Sequence, residues 1–309
     1  MMSIRRNILL GVKQWFQGKN NFPPNVIVSS PHGSSKVPLS VFPHLRPDYQ
    51  TSSRLLLNFS DYGTKYLLEK VPLNQQVVAH YGRIVGDANR KRDAEDVIRF
   101  EDFNGVPIFR PKFQKRLKTS WLRPFWLRKL LLHSYEPFYR DVFSAIDRAV
   151  QDPRNEGRPI IMLDVHDTGN RLLGRTWRED VTRIKQKMPP LVLSNAPDLE
   201  VDEGRFGTAP ISFLYDFREK IADKLGLDEK EIEINSIFKG ANVIRYFGNP
   251  SANRRLRKIL RGKEIYAIQV EFDRALYLDE VTQRPIGWKV ASVRNCFMET
   301  IIELNEMLD

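Results

Sequence analysis

Three apolar runs in this chain each end in residues able to bind a metal or move a proton. Asn25-Val-Ile-Val-Ser-Ser-Pro-His32 delivers one imidazole, and Ile160-Ile-Met-Leu-Asp164-Val-His166-Asp167 delivers a second between two carboxylates. Ile265-Tyr-Ala-Ile-Gln-Val-Glu271-Phe-Asp273-Arg274 ends in two carboxylates and a guanidinium. Four to six apolar or β-branched residues leading into such groups predict buried strands, and open α/β sheets collect ligands beyond the carboxyl ends of their strands. Two His and a Glu delivered together suit a divalent metal and a general base, the chemistry of a metal-dependent hydrolase.

Each piece alone has a plainer reading. His32 sits between Pro31 and Gly33, in a sharp turn where Gly33 allows close approach of the backbone, and such a His is often only a turn residue. Asp164 and His166 share one face of an extended strand, so the carboxylate can orient the imidazole; the alternative is a core His bonded to backbone. Glu271 and Asp273 likewise share a face, and a structural Glu–Arg pair is the alternative there. The stretch Tyr81-Gly-Arg83-Ile-Val-Gly-Asp87-Ala-Asn89-Arg90 adds two guanidiniums and an amide at a strand end, suited to gripping a substrate carboxylate. The joint occurrence of these pieces weighs more than any one.

The elements that must position these groups follow from periodicity. A helix is expected over residues 53–70, or two turns broken near Gly63, and a strand from Gln75 through Val85. Phe138, Val142, Phe143, Ile146 and Val150 recur at helical spacing over 137–150. Further strands are predicted at 190–194 and 231–237, with helices at 211–224 and 288–307. Strands alternating with helices predict a mainly parallel sheet covered on both faces. No composition break argues for a second domain. Residues 1–24 form an expected N-terminal helical extension, and 25–309 a single catalytic domain with a basic insertion near 110–135.

The bulk numbers narrow the class. In 309 residues, 41% are hydrophobic and 28% charged, enough for a substantial core, and no apolar run is long enough for a membrane span. The N-terminal apolar run is shorter than a signal-peptide core, so an unexported, cytoplasmic protein is expected. Cys296 is the single cysteine, which rules out an internal disulfide and a cysteine-based zinc site. The net charge of +11 is concentrated from Arg110 to Tyr135, where no acid occurs and Phe113, Trp121, Phe125 and Trp126 are interleaved with the cations. That segment is either a solvated helical face with inward aromatics or a surface for an anionic partner.

An ordered series of blocks then resembles the N-formylglutamate amidohydrolase family. The matching pieces are Ser30-Pro-His32-Gly33, Ser60-Asp61-Tyr-Gly63-Thr64, Arg83-Ile-Val-Gly-Asp87-Ala-Asn89-Arg90 and Leu163-Asp164-Val-His166-Asp167. Gly204-Arg-Phe-Gly207-Thr208-Ala209, Phe238-Lys-Gly240 and the run from Gln269 to Glu280 complete it, over roughly residues 25–282. The resemblance implies a three-layer α/β/α fold of the zinc-carboxypeptidase (phosphorylase/hydrolase-like) kind, with a mixed, mainly parallel sheet. It also implies hydrolysis of an N-acyl amide such as N-formyl-L-glutamate. By that likeness His32, His166 and Asp61 would hold Zn²⁺ or another divalent transition metal, with Ser35 standing where the carboxypeptidases carry an acidic ligand. Glu271 would be the general base, Arg83 the oxyanion donor, and Asn89, Arg90 and Arg274 the substrate-binding set. Asp167 and Thr168 depart from the family pattern, and the 110–135 stretch extends a loop, which leaves the acyl group and the amine open. The rival expectations are a zinc peptidase or amidase on a peptide or cell-wall amide, and a non-catalytic basic binding protein on this scaffold.

Overall fold

Strands buried on both faces read as nearly unbroken apolar runs, and the three runs above form the middle of a sheet. The computed structural model describes residues 22–102, 105–119, 123–169, 188–279, 282 and 284–308. The expected N-terminal helix, Trp121 and Glu280 lie outside the described residues. Strands β1 (Val26–Ser30), β2 (Gln76–Val78), β3 (Ile160–Thr168), β4 (Leu191–Ser194), β7 (Ile232–Ile234) and β8 (Ile265–Asp273) form a six-stranded sheet in the order β2-β1-β3-β8-β4-β7. A small hairpin of β5 (Glu200–Asp202) and β6 (Arg205–Phe206) stands apart. Strands β2, β1, β3 and β8 are mutually parallel, β4 runs antiparallel to β8, and β7 follows β4. The sheet is therefore mixed and mainly parallel, as expected.

Helices cover both faces. One face carries α6 (Tyr135–Gln151), α8 (Asn242–Phe247) and α9 (Arg254–Leu260) against Ile27, Ile160, Met162 and Ala267. The other carries α3 (Thr64–Leu67), α7 (Ile211–Leu225) and α10 (Gly287–Glu306) against Val28, Leu163, Val165, Ile268 and Phe272. Period-two alternation makes the first face change character along its length. Ile160 and Met162 give way to Asp164 and His166, and Ile265 and Ala267 to Gln269 and Glu271, all buried. The apolar half anchors the sheet to the helices, and the polar half at the strand ends builds the site.

Two expectations change. The strand foreseen from Gln75 to Val85 stops at Val78. Ile84 and Val85 are buried but lie in a turn, where Gly82 donates to the Lys36 carbonyl and Val85 to that of Gly82. A Cβ at Gly82 would sit 2.8 Å from the Ser34 carbonyl oxygen, so this close crossing of two loops suits glycine alone. The helix over 53–70 divides into α2 (Ser53–Asn58) and α3, the second beginning after Gly63. A short α1 (Pro47–Thr51) precedes them, and the basic segment forms α4 (Pro111–Thr119) and α5 (Arg123–His133).

Candidate metal centre and active site

Beyond the end of β1, the Pro31–Gly33 turn carries His32, and Asp61 is brought to it by backbone pairing: the Asp61 N–H donates to the His32 carbonyl at 2.8 Å. Thr64 closes that loop, donating from its hydroxyl to the Asp61 carbonyl at 2.7 Å. From β3, His166 reaches the same carboxylate. His32 Nδ1 lies 3.3 Å and His166 Nδ1 2.7 Å from Asp61 Oδ2. The two rings meet edge to face with centroids 5.0 Å apart.

The opposite ring nitrogens face other carboxylates. His32 Nε2 is 2.6 Å from Asp87 Oδ1, and His166 Nε2 is 3.0 Å from Asp164 Oδ2. An ionised carboxylate only accepts, so each Nε2 carries a proton, and each Nδ1 is left on the side of Asp61, where a cation between them would take its lone pair. Asp164 is fixed in turn by the Ser29 hydroxyl at 2.6 Å, from the neighbouring position on β1. Asp87 accepts from Arg83 Nη2 at 2.9 Å and from the Asn89 backbone N–H at 3.0 Å.

Electrostatics follow from this burial. Against desolvation, which would raise it, the His32 and His166 imidazoles hold the Asp61 carboxyl well below the usual carboxylate range. Asp87 is likewise held low against burial by Arg83 and His32. Burial would lower His166, yet Asp164 and Asp61 keep it well above the ordinary imidazole value. Glu271 stands beside His166 in register on β8, hydrogen-bonded by Gln269 Nε2 at 3.1 Å. Burial, with Asp61 close by, pushes its carboxyl up to about 7 although His166 acts the other way.

The remaining expected site residues fall in two groups. Arg90 is at the rim, its side chain 42% exposed, with Nε 3.2 Å from Asp96 Oδ2. Arg83 is largely buried, its side chain 14% exposed, and its charge lies near Asp61 and Glu271 as well as Asp87. Asn89 and Arg274, expected to bind substrate, are engaged within the protein. The Asn89 amide places Nδ2 3.1 Å from His166 Nε2, while its Oδ1 accepts from the Val243 N–H at 2.9 Å. Arg274 donates from Nε to Asp167 Oδ1 at 2.5 Å and from Nη2 to the Ser60 carbonyl at 2.6 Å, next to Asp61. Tyr277 donates to the other oxygen of Asp167 at 2.8 Å. Gly63 passes so close to Asp167 and Tyr277 that any Cβ there would collide with both. Sequence reasoning gave Asp87, Gln269 and Tyr277 no role. Asp87 lies 55 residues from His32, and no local spacing links them.

The donor set fits a divalent cation. His32, Asp61 and His166 are buried, with one ligand atom from each lying within 4.8 Å of the others. Two imidazoles and a carboxylate are the catalytic-zinc donor types, and other divalent transition metals share them. The charge around them points the same way. Asp61, Asp87, Asp164, Asp167 and Glu271 are buried here, while Arg83 and Arg274 are taken up by Asp87 and Asp167. A cleft of about 460 Å³ between the 92–100 loop and α4–α5 is lined by Arg92, Val97, Leu117 and Lys118 and shares no residue with this cluster.

A mixed sheet between helical layers carries a His–Asp–His cluster at the ends of its central strands, where open α/β sheets collect ligands. The model of the N-formylglutamate amidohydrolase family matches residues 25–278, and the chain belongs to that family. It is thus an amidohydrolase by family. The fold is similar to that of N-formylglutamate amidohydrolase from Ralstonia eutropha JMP134, with a TM-score of 0.63 at 17% identity over 92% of this chain and 93% of that one. It is also similar to a gene product of Agrobacterium tumefaciens, with a TM-score of 0.55 at 13% identity over 94% of each chain. No curated protein matches the sequence.

Proposed function

We propose that this protein is a metal-dependent amidohydrolase that cleaves the amide bond of an N-acyl amino acid, with N-formyl-L-glutamate the leading candidate. The observation that carries the reading is the convergence of both Nδ1 atoms on Asp61 while Asp87 and Asp164 occupy both Nε2 atoms. His32, Asp61 and His166 would hold the ion, Zn²⁺ by donor type. When bound, such an ion supplies Lewis acidity for the amide carbonyl and a lowered pKa for water.

The chain's own residues do the rest. Glu271, with its carboxyl near neutrality, takes a proton from the attacking water and returns it to the departing amine. Arg83 places a largely buried positive charge near Asp61 and Glu271, where it stabilises the oxyanion that develops on the carbonyl. Arg90, half-exposed at the rim, suits the carboxylate of the substrate. We assign Asn89, anchored by the Val243 N–H, to lining the His166 ring and Arg274 to fixing Asp61 through the Ser60 carbonyl, because those side chains are already placed there.

Elemental analysis of purified protein beside His166→Ala tests the site. About one metal per chain in wild type and little in the variant is expected; equal metal in both contradicts the assignment.

A further inference from the structure

The basic segment has an outward face that the proposed reaction does not use. Its inner side is ordinary core. Phe113 and Leu117 of α4 and Leu130 and Leu131 of α5 are buried, with Phe113 stacked on His44 at 4.1 Å and Trp126 edge-on to Phe113 at 5.0 Å. A surface helix normally turns polar residues outward. Helix α5 instead exposes Phe125 (60%) and Leu132 (54%), two turns apart on one side, with exposed Arg128 between them. Leu39, 90% exposed, precedes Ser40, whose Oγ lies 3.3 Å from Nε2 of His133 at the end of α5.

The segment that carries Phe125 and Leu132 is rich in exposed cations. Lys112, Lys115 and Lys118 are exposed on α4, and no acid occurs between Arg110 and Tyr135. The positive field is felt inside as well: burial, then Arg116, Lys129 and Arg110, push the His44 imidazole down. Cations alone would suit any polyanion. Exposed leucines beside an exposed phenylalanine, however, gain nothing from phosphates in water. They gain burial only where an apolar phase lies directly beneath an anionic layer.

We propose that the outward face of α5, with the lysines of α4, docks this protein on the surface of an anionic phospholipid membrane. Phe125, Leu132 and Leu39 enter the headgroup–acyl boundary while Lys112, Lys115 and Arg128 meet the lipid phosphates. The contact is peripheral, since no helix among the described residues is long and apolar enough to cross a membrane.

The test is co-sedimentation of the full-length protein with vesicles of phosphatidylglycerol and phosphatidylcholine, against phosphatidylcholine alone. Two double variants, Phe125→Ser with Leu132→Ser and Lys112→Glu with Lys115→Glu, are run beside wild type, with circular dichroism to verify the fold. Wild type should bind the anionic vesicles only, and each variant should lose affinity by about ten-fold or more. Failure of wild type to bind overturns the proposal, as does wild-type binding by the serine variant. Binding of a DNA duplex that the glutamate variant loses and the serine variant keeps, without vesicle binding, would assign the face to nucleic acid instead.

Discussion

Asp164→Asn tests how the site is held, because it changes one charge and no volume. Asp164 is fully buried, with one oxygen on the Ser29 hydroxyl and the other on His166 Nε2. The Ser29 hydroxyl can rotate to suit an amide, so that contact survives. His166 cannot adapt so cheaply. Once the charge that holds a proton on Nε2 is gone, the Asn89 Nδ2, 3.1 Å away with its Oδ1 fixed by Val243, favours a bare nitrogen there, which moves the ring proton to Nδ1 and aims it at Asp61. The ligand lone pair is then lost unless the ring is restored to its original tautomer. Loss of such an outer partner typically weakens metal binding by about 10–100-fold. That corresponds to about 1.4–2.8 kcal/mol at the usual conversion of about 1.4 kcal/mol per ten-fold. Competition with a chromophoric Zn²⁺ chelator measures it directly, with circular dichroism as the control for folding. Zn²⁺ affinity within two-fold of wild type in a folded variant would refute the role of Asp164 in setting the tautomer.

Three further outcomes are expected. Glu271→Gln should keep its metal and lose about 10²–10⁴-fold in kcat, the usual range for a general base, as read in a steady-state assay. Because Glu271 must be ionised to accept a proton, activity is present above its pKa and lost as pH falls through it. That pKa is about 7 before any cation adds its charge, and a cation lowers it, so the acid limb of a kcat–pH profile should lie at or below about 7. Gly63→Ala drives a methyl group into Asp167 and Tyr277 and should cost about 1–3 kcal/mol, the usual range for overpacking, seen as a lowered Tm in calorimetry.

The strand ends were legible because a strand buried on both faces must be apolar throughout, so His166 and Glu271 stand out against the residues before them. Direction within the sheet was not legible. Leu191-Val-Leu-Ser194 reads the same whichever way it runs, and β4 proves antiparallel to β8. The strand foreseen through Val85 failed for a related reason: Ile84 and Val85 are apolar because a turn presses them into the core. Asp61 was reached only through the family pattern, since a loop hydrogen bond to His32 places it. Asp87 was quoted within a matching block and given no role, because a contact across 55 residues leaves no local signal.

Metal-dependent amide hydrolysis is tested most directly by formate release from N-formyl-L-glutamate by chelator-stripped protein, before and after addition of Zn²⁺, with His166→Ala treated identically. Turnover should be negligible after stripping, return with about one equivalent of metal, and stay absent in the variant. Full activity of the stripped protein, or equal activity of the variant, would contradict it.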